Sequence, residues 1–101
     1  METLSILVGL IINKIEEVYD YVQITFSDGS ILSIFNNYYY DGNTVFDLKG
    51  KEIKSIENLD NGINIIFENN ESFMIGISDD DYNGPEAMTL KKEGQTPIVW
   101  N

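Results

Sequence analysis

The 101-residue chain lacks cysteine, histidine and arginine, and each absence excludes a class of chemistry. Without cysteine there are no disulfides, thiolate metal sites or thiol nucleophiles, a composition that fits a cytoplasmic protein. Without histidine there is no ordinary catalytic triad and no zinc site of the usual kind. Without arginine no side chain can hold a phosphate through a bidentate fork. We therefore expect a protein that is not an enzyme and has no cofactor.

The chain also has no long hydrophobic run and little positive charge. The apolar stretch at residues 4–12 is too short to span a membrane. Seventeen acidic residues stand against six lysines, and the formal net charge is −11. Such a surface repels nucleic acid and anionic lipid, so we expect neither as a partner, and it steers the protein toward a basic partner. The alternative is that the acid excess merely keeps a small protein soluble.

A repeat is the strongest pattern present. The segment starting at Leu7 aligns without a gap with the segment starting at Leu48, a constant spacing of 41 residues (48 minus 7). The matched pairs are Leu7 and Leu48, Gly9 and Gly50, Ile12 and Ile53, Ile15 and Ile56, Glu16 and Glu57, Ile24 and Ile65, Phe26 and Phe67, and Ile34 and Ile75. Such self-similarity predicts a repeated supersecondary unit at about residues 4–37 and 45–78, within one domain at 1–101.

Each copy contains the alternation typical of half-buried β-strands. In the first copy Val22, Ile24 and Phe26 alternate with polar residues, and Ile63, Ile65 and Phe67 occupy the same positions in the second copy. Asp28-Gly29 then predicts a hairpin turn, since glycine tolerates positive φ, and Asn69-Asn70 occupies the same place in the second copy.

The opening segment of each copy allows two interpretations. Apolar residues recur every third position at residues 10–18 and 51–59, a spacing that suits one face of a helix. The short length and the β-branched isoleucines favour a strand instead. A bulge between Ile12 and Ile15 would place both side chains on the core face, because one extra residue resets the alternation.

These patterns predict an all-β protein. Each copy forms a three-stranded antiparallel meander, and the two meanders form a β-sandwich or a partly open barrel. Residues 86–101 add a C-terminal hairpin, whose last strand starts at Pro97 or lies at an edge because proline donates no ladder hydrogen bond. Phe26 and Phe67 are predicted core residues, and Trp100 is predicted to fill a place in the core or at its edge.

Tyr38, Tyr39, Tyr40 and Asp41 form the first candidate site, within a polar, aromatic loop at residues 36–43. Three successive tyrosines cannot all face the core, so at least one is exposed. Tyrosine anchors many interfaces because it offers a large, rigid and amphipathic surface. The alternative is that these rings close one end of the fold.

The second candidate site is the acidic loop at residues 78–86, with Asp79, Asp80, Asp81, Tyr82 and Glu86. Asp79, Asp81 and Asn83 before Gly84 match the opening of a calcium loop, but Leu90 stands where that loop requires glutamate. We therefore expect no metal, and an acidic turn whose carboxylates cap nearby backbone N–H groups.

The acid excess, the Tyr38–Asp41 segment and the Ser-Asp-Asp-Asp-Tyr-Asn-Gly-Pro-Glu-Ala run from Ser78 resemble small immunity proteins of bacterial polymorphic toxin and contact-dependent growth inhibition systems. That run, with the Ile-Val-Trp ending at Trp100, also resembles small β-rich bacterial domains of unknown function. The first resemblance implies an antitoxin that binds a basic toxin domain of the nuclease type in the cytoplasm. The alternatives are an adaptor that pairs through a sheet edge, or a calcium- or sugar-binding β module.

Overall fold

The computed structural model describes residues 4–101, which form nine strands in two antiparallel sheets. The strands are β1 (Ile12–Val18), β2 (Tyr21–Phe26), β3 (Ile31–Ile34), β4 (Tyr38–Tyr40), β5 (Ile53–Leu59), β6 (Gly62–Phe67), β7 (Ser72–Gly76), β8 (Met88–Lys91) and β9 (Ile98–Trp100). One sheet has the order β1-β2-β3-β8-β9 and the other β4-β7-β6-β5. The predicted all-β class is confirmed, and the sheets stack as a sandwich that does not close into a barrel.

The two copies of the repeat form the same elements at the same spacing. A 3₁₀ turn at Leu4–Leu7 opens the first copy, and one at Val45–Leu48 opens the second. The meanders β1-β2-β3 and β5-β6-β7 follow, as predicted. The hairpin turns are also equivalent, since Gly29 has φ +86° and Asn70, 41 positions later, has φ +68°.

The opening segments are bulged strands, and the helical interpretation is wrong. The register of β1 against β2 shifts between Ile12 and Lys14, and that of β5 against β6 shifts between Ile53 and Ser55. The extra residue buries both Ile12 and Ile15, as the spacing requires.

The copies exchange segments reciprocally. Gly9 N donates to Ile53 O at 2.8 Å, and Gly50 N donates to Ile12 O at 2.7 Å. A bridge between Ile11 and Glu52 lies between these bonds. Each copy therefore starts by pairing with the first strand of the other, in an approximately two-fold arrangement.

The fourth strands are exchanged in the same way. β4 follows the first copy and pairs with β7 of the second, whereas β8 follows the second copy and pairs with β3 of the first. Residues 36–43, predicted as a loop, thus contain a strand. In the first copy the chain runs 4 positions from Ile34 to Tyr38, and in the second it runs 13 positions from Ile75 to Met88. The connection to the fourth strand is therefore nine residues longer in the second copy. That addition is the acidic loop.

The core lies between the sheets and consists of the inward-facing residues of both copies and of the C-terminal hairpin. Phe26, Phe67 and Phe73 are fully buried, and Trp100 is 8% exposed. The predicted C-terminal hairpin is confirmed, because β8 pairs with β9, which begins directly after Pro97 and forms a sheet edge.

Candidate functional site

β4 and the acidic loop, the two candidate segments, meet on one surface. The Tyr39 hydroxyl donates to Asp81 Oδ1 at 2.5 Å, and Asn37 N donates to the Asp81 carbonyl oxygen at 2.8 Å. The Tyr39 ring is 52% exposed and Asp81 is 7% exposed. The hydrogen bond to the carboxylate raises the pKa of Tyr39 above its ordinary value.

Asp81 organises the acidic loop from within. Its Oδ2 accepts from Ser78 N at 3.2 Å, which caps a 3₁₀ turn at Asp79–Asp81 as the sequence predicts. Its carboxylate lies against Gly76, where a Cβ atom would overlap it. Since both oxygens are engaged within the fold, Asp81 has a positioning role, whereas Asp79 and Asp80 are exposed.

The neighbouring tyrosines of β4 are held by the second copy. Tyr38 stacks on Phe73 with ring centroids 5.0 Å apart, and burial raises its pKa, aided by the Glu17 charge. The Tyr40 hydroxyl donates to Glu71 Oε1 at 2.9 Å; burial, together with this bond, raises the pKa of Tyr40 to about 12. Tyr39 is therefore the member of the trio with the most exposed ring.

Asp41 directly follows β4 and anchors it to β7. Its Oδ1 accepts from Ser72 N at 3.1 Å and its Oδ2 from Ser72 Oγ at 3.2 Å. Tyr39, Tyr40 and Asp41 line a shallow groove of about 300 Å³ together with Asn64, Ser72 and Met74.

The second half of the acidic loop is tied to the first copy. Asn83 Nδ2 donates to Phe35 O at 2.9 Å and to Asn37 Oδ1 at 3.2 Å. The Tyr82 hydroxyl donates to Asn101 O at 3.0 Å, and the Tyr82 ring packs against the core. These contacts fix the second half of the loop against the first copy and the C-terminal residue.

Glu86 lines a cavity of about 170 Å³ that the sequence did not predict. Its other walls are Asp20, Tyr21, Phe35 and residues 83–85. Tyr21 and Phe35 form an aromatic pair with centroids 4.9 Å apart. A comparison of the two copies would have identified Tyr21 and Phe35, because the residues 41 positions later are not aromatic. They are Gly62 and Gly76, a cross-strand glycine pair.

The site segments carry negative charge without local compensation. No lysine occurs between Lys14 and Lys49 or between Lys54 and Lys91. The salt bridges among residues 4–101 lie elsewhere, joining Lys14 to Glu16 at 3.2 Å and Lys92 to Asp28 at 3.5 Å.

Within the described part of the chain, no three acidic side chains converge in a geometry that could hold a metal ion. No helix among residues 4–101 is long and apolar enough to cross a membrane. Comparison with known proteins yields no matching family model, no matching curated protein and no matching solved structure.

Proposed function

We propose that the protein is a cytoplasmic immunity protein that binds and neutralises a basic toxin domain, of the nuclease type, without catalysis of its own. The observation that carries the proposal is the Tyr39–Asp81 hydrogen bond, which joins the two candidate segments into one acidic and aromatic surface. A basic domain that binds phosphates has the complementary charge.

The residues of this surface have distinct roles in the proposal. Asp79 and Asp80 are exposed and present charge where the toxin would otherwise bind substrate phosphates. Tyr39 is the aromatic anchor, because its ring is half-exposed while its hydroxyl is fixed. Asp81 holds both groups in place, and Asp41 and Glu86 extend the negative surface on either side.

Recognition through a sheet edge is less well supported. β4 has three residues, and antiparallel alternation leaves only the backbone groups of Tyr38 and Tyr40 pointing away from β7. The longer edge strands β1 and β5 carry charged residues along their length, a device that discourages pairing with another chain.

The proposal is tested with the C-terminal domain of the protein encoded directly upstream, which we expect to be the toxin. The double variant Asp79→Lys/Asp80→Lys is compared with Glu68→Lys/Glu93→Lys, which changes the net charge equally at exposed positions outside the surface. Calorimetric titration is expected to show a loss of about 2–5 kcal/mol for the first variant and a much smaller loss for the second. Equal losses, or no binding of the unaltered protein to that domain, would refute the proposal.

A further inference from the structure

The cavity beside Glu86 has the size of a pocket for the end of one side chain. Its volume of about 170 Å³ is well above the roughly 10–15 Å³ that a cavity needs to hold one water molecule. It lies between the start of β2, the residue that follows β3 and the second half of the acidic loop.

Aromatic rings form one wall of the cavity. Tyr21 and Phe35, whose rings are inclined at 55°, are both only partly buried. A cation placed over the face of such rings is attracted by their quadrupole, and the planar guanidinium group also stacks on them.

Carboxylates form another part of the lining. Asp20 and Glu86 contribute to the cavity from opposite parts of the chain. Within residues 4–101 neither carboxylate has a hydrogen bond or an ion pair. An incoming cation would therefore find acceptors that no internal donor occupies.

The equivalent place in the second copy is filled. There Gly62 and Gly76 replace the aromatic pair, with Met74 close to Gly62 and the Asp81 carboxylate against Gly76. The acidic loop thus closes this position in one copy and leaves it open in the other. Asn83 fixes the rim through its bonds to Phe35 and Asn37, so the open cavity is preformed.

We propose that this cavity binds the guanidinium group of an arginine side chain from the protein partner. The inference rests on the proposed function and adds to it the chemical group that the surface recognises. In the bound state the guanidinium stacks on Tyr21 or Phe35 and donates to Asp20 and Glu86.

The test uses the full chain and three short acetylated, amidated peptides, Gly-Arg-Gly, Gly-Lys-Gly and Gly-citrulline-Gly. Nuclear magnetic resonance titration is expected to show shifts of the Tyr21, Phe35 and residue 83–86 amides with the arginine peptide. We expect the lysine peptide to bind about three- to fivefold more weakly, because it lacks the planar stack, and the neutral citrulline peptide to bind weakest.

Two variants and a control locate the effect. Glu86→Gln and Asp20→Asn are each expected to weaken the arginine peptide about tenfold, and the latter introduces the residue type that the second copy has at Asn61. Glu93→Gln removes the same charge outside the cavity and is expected to leave binding unchanged. Absence of shifts at the cavity, equal binding of the lysine peptide, or equal effects of Glu86→Gln and Glu93→Gln would overturn the inference.

The same variants separate this inference from the proposed function. If the toxin domain binds and Glu86→Gln does not weaken it, the cavity inference fails and the function stands. If the arginine peptide binds at the cavity and no toxin domain binds, the assignment as an immunity protein fails.

Discussion

At the scale of single residues, the site depends on a glycine that bears no functional group. Gly76 ends β7 directly under the Asp81 carboxylate, and that carboxylate in turn holds the Tyr39 hydroxyl. Because residue 76 has no side chain, the Asp81 carboxylate can lie against it and hold the exposed Tyr39 ring, 37 positions earlier in the chain.

The substitution Gly76→Ala tests this arrangement. The added methyl group would overlap the buried Asp81 carboxylate, so we expect a loss of about 1–3 kcal/mol in the free energy of unfolding, measured by urea denaturation. Gly84→Ala is the control, because a Cβ atom there meets nothing within 4 Å and its φ is not positive. Equal stability of the two variants would contradict the packing described for Asp81.

Tyr40 makes stability depend on pH in the alkaline range. Its pKa rises from an ordinary value of 10.0 to about 12 in the folded protein, so the native state holds the phenol proton more tightly than the unfolded state. This contribution to stability is fully present below pH 10 and is lost as pH rises toward 12. We expect Tyr40→Phe to flatten the decline of thermal stability over that window. An unchanged decline would show that other groups control it.

At the scale of elements, the turns that open the two copies are equivalent devices. Gly9 has φ +91° and Gly50 has φ +87°, and each donates its N–H to the first strand of the other copy. Both backbones are in the left-handed region, where a side chain is disfavoured.

Alanine substitution at these two positions is therefore expected to have matching effects. A Cβ atom at either glycine meets nothing within 4 Å, so the cost is one of backbone conformation, about 1–2 kcal/mol for each. Gly29→Asn is the comparison, since the second copy already has Asn70 in that conformation, and we expect it to cost less. Denaturation curves in which only one of the two alanine variants is destabilised would contradict the equivalence.

Some of the elements could be predicted from the sequence and others could not. Alternation and the constant spacing predicted β2, β6 and the bulges, because those features depend on residues close together in the chain. β4 was missed because three consecutive tyrosines show no alternation, and this strand forms through pairing with β7, more than 30 residues away. Tyr39 and Asp81 are 42 positions apart. The residue types within each segment marked both as candidate sites, but they could not show that the two segments are in contact.

At the scale of the whole molecule, each half of the chain completes the other. Each sheet takes its fourth strand from the segment that follows the opposite copy, and each opening segment pairs with the other copy as well. Neither half has its full sheet without its partner.

We therefore expect a chain cut after Asn43, in an exposed loop, to remain assembled. The two pieces, 1–43 and 44–101, should each lack cooperative unfolding alone and should regain it as a one-to-one complex. Circular dichroism melting of the separate and mixed pieces measures this. A cooperative transition in either isolated piece would contradict the reciprocal exchange.

The proposed role of the acidic surface is tested by the salt dependence of binding to the domain encoded directly upstream, the expected toxin. Charge-steered recognition predicts an affinity that falls steeply as salt increases, and a shallower slope for Asp79→Lys/Asp80→Lys than for Glu68→Lys/Glu93→Lys. If the affinity did not depend on salt and both variants showed the same salt dependence, charge-steered recognition through Asp79 and Asp80 would be contradicted.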